Sequence, residues 1–486
     1  MQSFLILSKG DTYMKILYVG GEALPFASTG GLGDVLGSLP AALKAYSPED
    51  DVRMVMPLHG KITPAWREKM TKVAEFTVQL AWRCQYCGVW ALEKDGVTVY
   101  FIDNEYYFKR PRLYGEYDDG ERYAYFSLAV MEMMDKIGFI PDILHANDWQ
   151  SALTVIYSKV RYPHYNIKTV YTIHNIEYQG IYGKDILSEV FALPSSTMSL
   201  LEFDNCVNLT KGAIIACDRL TTVSQRYSEE LRTPYYASGL DGIIGENAYK
   251  SSGIVNGIDV TYYDPMNDPD MIGPKFGAKY RLFSNKLANK TALQSELNLP
   301  VDENIPMIAM ITRLVSHKGV DLVKHVIDQV LDGNVQLVVL GTGNEEFENF
   351  FRYLESRYPD KVRALIRFDK KLSKQIYAAA DIFLMPSKSE PCGLSQMIAS
   401  RYAAIPVVRE TGGLYDTIKP FNPETGEGNG VTFFSYNAHD MLDAINRAIA
   451  LWKDDATRKK LLRNVIGADF SWNASAEKYA DLYRGM

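Results

Sequence analysis

Three charged side chains in the C-terminal half of the sequence could act on a phosphorylated substrate. Arg313 and Lys318 lie in the segment TRLVSHKG, and Glu390 lies in the segment MPSKSEPCG. A forked guanidinium and a point-charge ammonium can neutralise a diphosphate without a metal ion. A carboxylate in a turn can accept hydrogen bonds from hydroxyl groups. A structural ion pair and a helix cap are the alternatives for these residues, and their spacing leaves both interpretations open.

A glycine-rich stretch near the start of the chain is a second candidate site for an anion. The apolar run Lys15–Gly20 is typical of a buried parallel strand, and Gly30, Gly31 and Gly33 precede apolar residues at helical spacing. The start of a helix offers unpaired N–H groups to a phosphate or pyrophosphate. Because the stretch is neither a G-x-G-x-x-G fingerprint nor a Walker A loop, a turn without a ligand is the alternative.

Polar residues also follow other apolar runs. They occur in HANDW (His145, Asn147, Asp148), in TIHN (Thr172, His174, Asn175) and in LGTGN (Gly341, Gly343, Asn344). A single polar residue in such a place is most often solvated or caps a helix. Together with the two segments around Lys318 and Glu390, five such places occur, and ligands of open α/β sheets bind at the carboxyl ends of the strands. A binding site at these strand ends is therefore expected.

The elements that must position these residues are two series of apolar runs, several of them separated by amphipathic stretches. The runs are Lys15–Gly20, Val52–Pro57, Val97–Asp103, Asp142–Asn147, Lys168–His174 and Leu220–Ser224, and then Pro306–Leu314, Val335–Gly341, Val362–Phe368, Asp381–Pro386, Ile405–Val408 and Val431–Phe434. Strands that alternate with helices predict a parallel sheet covered on both faces. The predicted fold class is α/β, with two tandem doubly wound domains that face each other across a cleft. The predicted domains are residues 14–260 and 261–465, followed by a last helix within residues 466–486.

Composition and charge limit the class of protein. The 486 residues suffice for two or three domains, and a net charge of −7 argues against a general nucleic-acid or anionic-membrane binder. No stretch approaches the ~20 apolar residues of a membrane span. Five cysteines are an odd number in a chain without a secretory signal, so reduced thiols in a cytoplasmic protein are expected. Residues 1–13 are expected to be either an upstream translation start or a frayed tail.

The sequence lacks the motifs that are typical of several other reaction types. The metal-binding pattern H-E-x-x-H is absent, and Asp268 and Asp270 lie in the predicted linker, so no metal site is expected. No G-x-S-x-G elbow is present, which argues against acyl transfer. The missing dinucleotide fingerprint makes a dinucleotide-dependent oxidoreductase the weakest function hypothesis.

From about Met14 to the C-terminus, the chain resembles the bacterial glycogen synthases and plant starch synthases. The shared segments are TGGLGDV, DDGERYAYFS, HANDWQSAL, YTIHNIEYQG, TTVSQRY, NGID, TRLVSHKG, EPCGLSQ, RETGGLYDT and FSW. Members of this family are retaining glycosyltransferases with two facing Rossmann-like domains, the GT-B arrangement, and their last helix returns to the first domain. The resemblance implies transfer of glucose from ADP-glucose to the non-reducing end of an α-1,4-glucan, without a metal or other cofactor.

The resemblance also implies roles for individual residues. Arg313 and Lys318 would neutralise the leaving diphosphate, and Glu390 would bind hydroxyls of the donor glucose. His145 would lie beside the anomeric carbon, and Asp118 would contact the sugar. The residues implied to bind substrate are Ser28, Gly30, Gly31, Asn256, Phe368, Cys392, Gly393, Leu394 and Thr411. Among them, the amides of Gly30 and Gly31 would approach the diphosphate, and Phe368 stands where the family has a tyrosine that stacks on adenine.

Two segments depart from the family pattern. Ser28 replaces the lysine of Lys-Thr-Gly-Gly-Leu, and Lys388 and Ser389 replace an Arg-Phe pair. Loss of one charge-assisted bond weakens binding by about 1.5 to 3 kcal/mol. A weakly active or non-catalytic paralogue that binds glucan or nucleotide is therefore the alternative to an active synthase. The choice between ADP-glucose and UDP-glucose as donor is open for the same reason.

Overall fold

The computed structural model describes residues 13–486, which divide into two compact units. The first unit runs to Thr221 and includes Ala237–Ser252 and Ser475–Met486, and the second consists of Thr222–Tyr236 and Gly253–Ala474. What was expected of residues 1–12 lies outside the described part of the chain. The domain limits drawn at residues 260 and 465 remain predictions.

Residues 13–253 contain twelve strands and ten α-helices. The strands are β1 Lys15–Val19, β2 Asp51–Pro57, β3 Thr71–Leu80, β4 Arg83–Lys94, β5 Val97–Asp103, β6 Ile143–Asn147, β7 Lys168–Ile173, β8 Ile181–Tyr182, β9 Glu202–Phe203, β10 Cys206–Asn208, β11 Arg219–Thr222 and β12 Ser251–Gly253. The helices are α1 Gly31–Tyr46, α2 Pro64–Arg67, α3 Glu105–Phe108, α4 Asp119–Lys136, α5 Trp149–Val160, α6 Ile186–Glu189, α7 Met198–Leu201, α8 Leu209–Ala216, α9 Gln225–Glu230 and α10 Asp241–Glu246.

A nine-stranded sheet with the order β12-β11-β7-β6-β1-β2-β5-β4-β3 forms the centre of this part. Strand β1 pairs in parallel with β2 on one side and with β6 on the other. A strand in that position is covered on both faces, which explains why β1 reads as a continuous apolar run rather than an alternating one. Helix α1 buries the predicted apolar face, including Val35, Leu39 and Leu43. The chain changes direction across the sheet between β1 and β6, which is the place where such sheets bind ligands.

The rest of the chain contains six strands and nine α-helices. They are α11 Leu282–Glu296, β13 Met307–Ile311, α12 Val320–Leu331, β14 Gln336–Leu340, α13 Glu345–Arg357, β15 Val362–Leu365, α14 Lys370–Ala379, β16 Ile382–Met385, α15 Ser395–Arg401, β17 Ile405–Arg409, α16 Gly412–Thr417, β18 Val431–Phe433, α17 Ala438–Lys453, α18 Asp455–Gly467 and α19 Trp472–Arg484. The strands form one parallel sheet with the order β15-β14-β13-β16-β17-β18. This is the strand order of a Rossmann fold, and the order reverses between β13 and β16.

Each of the twelve apolar runs identified in the sequence overlaps a strand of one of these two sheets. The α/β prediction with two doubly wound sheets is confirmed. An antiparallel hairpin, β3 and β4, extends the first sheet beyond β5 and was not predicted as such. Its residues are largely exposed on one face, so they lack the apolar runs by which the parallel strands were recognised. Within residues 13–486, none of the helices combines the length and the apolar character that crossing a bilayer requires.

Candidate functional site

Lys318 and Glu390 meet at the point where the second sheet reverses its strand order. Lys318 ends a short 3₁₀ turn after β13, and Glu390 lies in the loop after the neighbouring strand β16. The Nζ atom of Lys318 is 2.6 Å from Oε2 of Glu390, and the hydroxyl of Ser387 donates to the same oxygen at 2.9 Å. Both charged side chains are largely buried, with 15% and 9% of their surface exposed. The structure therefore brings these two predicted site residues together, as an ion pair.

Close backbone packing fixes the two loops against each other. Gly319 has a φ of +77°, and a Cβ atom at this position would lie 2.1 Å from the carbonyl oxygen of Pro386. The amide of Lys388 also donates to the carbonyl of His317 at 2.9 Å. Only glycine allows this approach, because any other residue would be strained by the positive φ and would clash with the second loop. The two loop backbones that carry Lys318 and Glu390 are therefore fixed against each other.

Arg313 and Phe368 lie at the same edge of the sheet but point to solvent. Arg313 follows β13 and is exposed, so its guanidinium does not share the ion pair of Lys318. Phe368 follows β15, and 81% of its surface is exposed. A large apolar ring with so much exposed surface contributes little to the core. It is available to stack on a flat ligand.

The segment that follows Glu390 contains the predicted residues Cys392, Gly393 and Leu394. Burial raises the pKa of the Cys392 thiol to about 12, so this cysteine is a neutral, unreactive group. Gly393 has a φ of +72° and leads into α15, whose N-terminal boundary is Leu394. Asn256 lies beside this segment, since its backbone hydrogen bonds with the Cys392 thiol. In the described part of the chain the Oδ1 atom of Asn256 is buried and has no hydrogen-bond partner.

In the first unit, the glycine-rich stretch before α1 already has an anionic partner. The buried carboxylate of Glu22 accepts hydrogen bonds from the Thr29 amide at 2.7 Å, the Thr29 hydroxyl at 2.6 Å, the Gly30 amide at 3.2 Å and the Gly33 amide at 3.1 Å. The prediction that the Gly30 amide is an unpaired donor for a diphosphate does not fit this geometry. Burial nevertheless raises the pKa of Glu22, because the lost hydration outweighs these bonds.

The side chain of Ser28 folds back on the same loop. Its hydroxyl donates to the carbonyl of Gly30 at 3.2 Å. A Cβ atom on Gly33 would lie 2.1 Å from the Ser28 Oγ, so Gly33 is required by packing within the protein. At Gly30 and Gly31, in contrast, a Cβ atom would meet nothing within 4 Å. The surface of the loop at these two glycines is therefore open.

His145 does not reach the surface on which a substrate could bind. The ring is fully buried within β6. Its Nδ1 atom is 2.6 Å from the Tyr483 hydroxyl, and its Nε2 atom is 2.5 Å from the Thr172 hydroxyl. Burial lowers the pKa of His145 to about 3. Because both ring nitrogens are engaged inside the protein, the role beside an anomeric carbon implied for His145 does not fit, and His145 instead ties β6 to β7 and α19.

His174 lies at the end of the next strand, β7. Its ring nitrogens, unlike those of His145, are not both engaged within the described part of the chain. Its Nε2 atom is 2.9 Å from Oδ1 of Asn147. The amide nitrogen of Asn147 donates to the carbonyls of Val19 and His145, which fixes the orientation of that side chain. Nε2 of His174 must therefore carry the proton, and Nδ1 is left as an acceptor. Burial lowers the pKa of His174 to about 3, so the ring is neutral.

Asp148 adjoins His174 and has an unusual backbone. Its φ of +56° and ψ of 178° belong to a region that is populated almost only by glycine. The carboxylate accepts the amides of His174 at 2.7 Å and Asn175 at 3.4 Å, and burial raises the pKa of Asp148 to about 7. Strained backbone and a displaced pKa together are typical of functional residues. The sequence indicated both histidines as candidates, because HANDW and TIHN both follow apolar runs. Only the structure distinguishes His174 from His145.

Asp118 is positioned by an ion pair that engages one of its oxygens. Arg110 lies 2.8 Å from Oδ2 of Asp118, which precedes α4. In the part of the chain that the structure describes, Oδ1 of Asp118 and the hydroxyl of Tyr114 are both buried without a hydrogen-bond partner. The Tyr114 hydroxyl lies against Gly21, where an added Cβ would approach it to 2.8 Å. Unpaired buried polar atoms are costly, and a ligand that hydrogen bonds to them would remove this cost.

Thr411 belongs to the second unit and precedes α16. It is fully buried, and its hydroxyl donates to Oε1 of Glu230 at 3.0 Å. Across residues 13–486, no group of three or more His, Cys, Asp and Glu side chains is placed to hold a metal ion. That the reaction needs no metal remains a prediction.

Two family models match the chain. Residues 15–246 match the starch synthase catalytic domain, and residues 293–465 match the glycosyl transferases group 1 model. A glycogen synthase of Geobacillus thermodenitrificans is 46% identical over 481 residues, which cover 97% of this chain and 98% of the relative. A glycogen synthase of Clostridium acetobutylicum is 47% identical, covering 97% of this chain and all of the relative.

A solved structure is also similar over the whole chain. The catalytic domain of starch synthase IV from Arabidopsis thaliana, bound to ADP and acarbose, superposes with a TM-score of 0.87 at 33% identity, covering 98% of this chain and 99% of that one. The fold and these matches define a glycosyltransferase of the GT-B class. The chain belongs to the family of bacterial glycogen synthases and plant starch synthases, as the sequence motifs predicted.

Proposed function

We propose that the chain transfers glucose from ADP-glucose to the 4-hydroxyl at the non-reducing end of an α-1,4-glucan, with retention of the anomeric configuration. The observation that carries the proposal is the Lys318–Glu390 pair at the reversal point of the second sheet, with Nζ 2.6 Å from Oε2. It supplies a cation for a leaving diphosphate and a carboxylate for sugar hydroxyls at one place. The starch synthase structure in the comparison contains ADP, which supports an adenine nucleotide as part of the donor.

The second unit would bind the donor. Lys318 and the exposed Arg313 would bind the diphosphate, and Phe368 would stack on the adenine. Asn256, whose buried Oδ1 is unpaired in the described part of the chain, would accept a hydrogen bond from the ligand. Charge that is already oriented before the reaction stabilises a transition state without reorganisation. These residues would therefore lower the barrier to departure of the diphosphate as well as bind it.

Asp118 and His174 are the candidates for contacts with the transferred sugar. Asp118 has one unpaired oxygen, and His174 offers Nδ1 as an acceptor while Asn147 holds its Nε2 proton. We assign to His174 the contact with the donor glucose that the resemblance implied for His145. Neither residue is placed as a nucleophile. The acceptor hydroxyl would attack on the face from which the diphosphate leaves, and the departing phosphate would take its proton.

The alternative, a weakly active or non-catalytic glucan- or nucleotide-binding protein, is prompted by Ser28, where the family lysine is missing. The relatives that the chain matches are glycogen and starch synthases and do not support this alternative. Transfer of radiolabelled glucose from ADP-glucose to glycogen, run beside UDP-glucose, decides between the two functions. We expect turnover on the order of 1 s⁻¹ or faster with ADP-glucose, and turnover about 100-fold slower in Lys318→Ala. Binding of ADP and glucan without turnover would overturn the proposal. The cytoplasmic location expected from the cysteines stays a prediction.

A further inference from the structure

The segment Thr222–Tyr236 lies in the sequence between parts of the first unit but packs with the second. It contains the short helix α9, Gln225–Glu230. The Arg226 amide donates to Oδ2 of Asp416 at 3.1 Å, and the Arg226 guanidinium lies 5.2 Å from the centre of the Tyr415 ring. Both partners belong to α16, so polar contacts of the α9 backbone and side chains hold α9 against α16.

The most buried of these polar groups is the carboxylate of Glu230, of which 5% is exposed. The Thr411 hydroxyl donates to Oε1 at 3.0 Å, and the Gly412 amide donates to both oxygens, at 3.2 and 3.1 Å. Arg226 lies at 3.5 Å from Oε1. Burial raises the pKa of Glu230 in spite of these bonds. These hydrogen bonds therefore offset only part of the free-energy cost of burying the carboxylate. The buried carboxylate provides the contact with residues 411 and 412.

From Gly412 the contacts continue into the donor site. Gly412 has a φ of +45°, and an added Cβ would lie 2.0 Å from the carbonyl oxygen of Glu390. The amide of Gly413 donates to that same carbonyl at 3.0 Å. A Cβ on Gly413 would lie 2.0 Å from the carbonyl oxygen of Cys392. The start of α16 is thus pressed against the backbone of the loop whose Glu390 side chain contacts Lys318.

We propose that Glu230 is a positioning residue for the donor site: by holding Thr411 and Gly412, it fixes the turn that supports the backbone of Glu390. The proposal rests on the proposed function for the identity of the ligand, a nucleoside diphosphate sugar. Glu230 itself touches neither Lys318 nor the Glu390 carboxylate. Its effect reaches them through the Gly412–Gly413 backbone.

The test compares Glu230→Gln with Glu229→Gln. Glutamine keeps the shape of the side chain but replaces one acceptor oxygen by an NH₂ group, which cannot accept from the Gly412 amide or the Thr411 hydroxyl. Glu229 is the matched control, since it lies on the same helix, is exposed and also neighbours Arg226, at 3.7 Å. We expect Glu230→Gln to raise the KM for the donor about tenfold, as for one lost charged hydrogen bond. The KM for glycogen should stay unchanged, and Glu229→Gln should match the wild type in both constants.

A measurement that does not depend on turnover separates this proposal from the proposed function. Hydrogen–deuterium exchange should become faster in peptides covering residues 390–394 and 411–414 of Glu230→Gln, and not in Glu229→Gln. If the wild type transfers no glucose, the exchange result still decides the role of Glu230. If Glu230→Gln does not fold, Glu230→Asp, which keeps the charge but withdraws it by one methylene group, takes its place. Wild-type exchange in both peptides together with a wild-type donor KM would overturn the proposal.

Discussion

The Nζ atom of Lys318 lies 2.6 Å from Oε2 of Glu390, on loops that follow the neighbouring parallel strands β13 and β16. Each of these side chains neutralises the other in a largely buried place. A diphosphate would therefore share a cation that is already oriented, and Ser387 would continue to hold the carboxylate.

The Lys318–Glu390 pair predicts that Lys318 and Arg313 differ in their contribution to stability, although both contribute to turnover. Lys318→Ala and Arg313→Ala should each lower kcat roughly 100-fold, because the negative charge of the leaving group grows toward the transition state. Lys318→Ala should also lower the free energy of unfolding by up to about 3 kcal/mol, since Glu390 would be left without its partner. Arg313 is exposed, so Arg313→Ala should unfold at the wild-type temperature. Stopped radiolabel assays and thermal unfolding measure the two effects, and equal destabilisation by both changes would contradict the assignment.

The two histidines at the ends of β6 and β7 should behave in opposite ways. His145→Ala should lower the free energy of unfolding by about 2 to 4 kcal/mol, because it leaves a cavity and removes one hydrogen bond from each of the buried hydroxyl groups of Tyr483 and Thr172. The remaining folded enzyme should keep a kcat within a few-fold of the wild type. His174→Ala should lower kcat about 100-fold with a smaller loss of stability. A large loss of kcat in well-folded His145→Ala would restore the role that the sequence resemblance gave it.

Asp148 and the histidines predict the pH dependence of stability. The pKa of Asp148 is raised to about 7, so this group makes the free energy of unfolding fall as pH rises from about 4 to 7. The pKa values of His145 and His174 are lowered to about 3, so each makes stability fall as pH drops from about 6.5 to 3. Between pH 4 and 6.5, Asp148→Asn should therefore gain stability with pH more steeply than the wild type, by up to about 1.4 kcal/mol per pH unit. Urea unfolding at several pH values measures the slopes, and parallel slopes would show that Asp148 titrates normally.

Ser28 permits a gain-of-function test. The loop beside it is open at Gly30 and Gly31, so the ammonium of Ser28→Lys has room at the loop surface. We expect ADP to bind about tenfold more tightly to Ser28→Lys, as for one added charged hydrogen bond. Ser28→Ala, which removes only the bond to the Gly30 carbonyl, is the control. Isothermal titration calorimetry gives the affinities, and weaker binding by the lysine variant would show that the site is built around serine.

Phe368 is expected to contribute to donor binding and not to the stability of the fold. Because 81% of its surface is exposed, Phe368→Ala should leave the unfolding temperature unchanged. Stacking of a base on an aromatic ring contributes about 1 to 3 kcal/mol, so the KM for the donor should rise about tenfold or more. Phe368→Tyr, which keeps the ring, should retain the wild-type KM. A donor KM that does not respond to the loss of the ring would place the adenine elsewhere.

Much of the fold could be predicted from the sequence because it depends on local patterns. Continuous apolar runs mark the strands that are buried on both faces of a parallel sheet, and helical spacing marks α1. The hairpin β3–β4 was missed because its exposed strands lack such runs. The ordered motifs determined the family, and they placed Lys318 and Glu390 after strands that proved to be neighbours.

Only the tertiary structure decided which polar residues at the strand ends are accessible. His145 is enclosed by Tyr483, a residue 338 positions later in the sequence, and no local pattern reports that contact. The Gly30 amide looked unpaired because the sequence does not reveal that the Glu22 carboxylate turns back to accept from it. Residue types and spacing determine what chemistry a chain can perform. Burial and hydrogen-bond partners, which depend on packing between distant segments, determine which of those residues remain free to perform it.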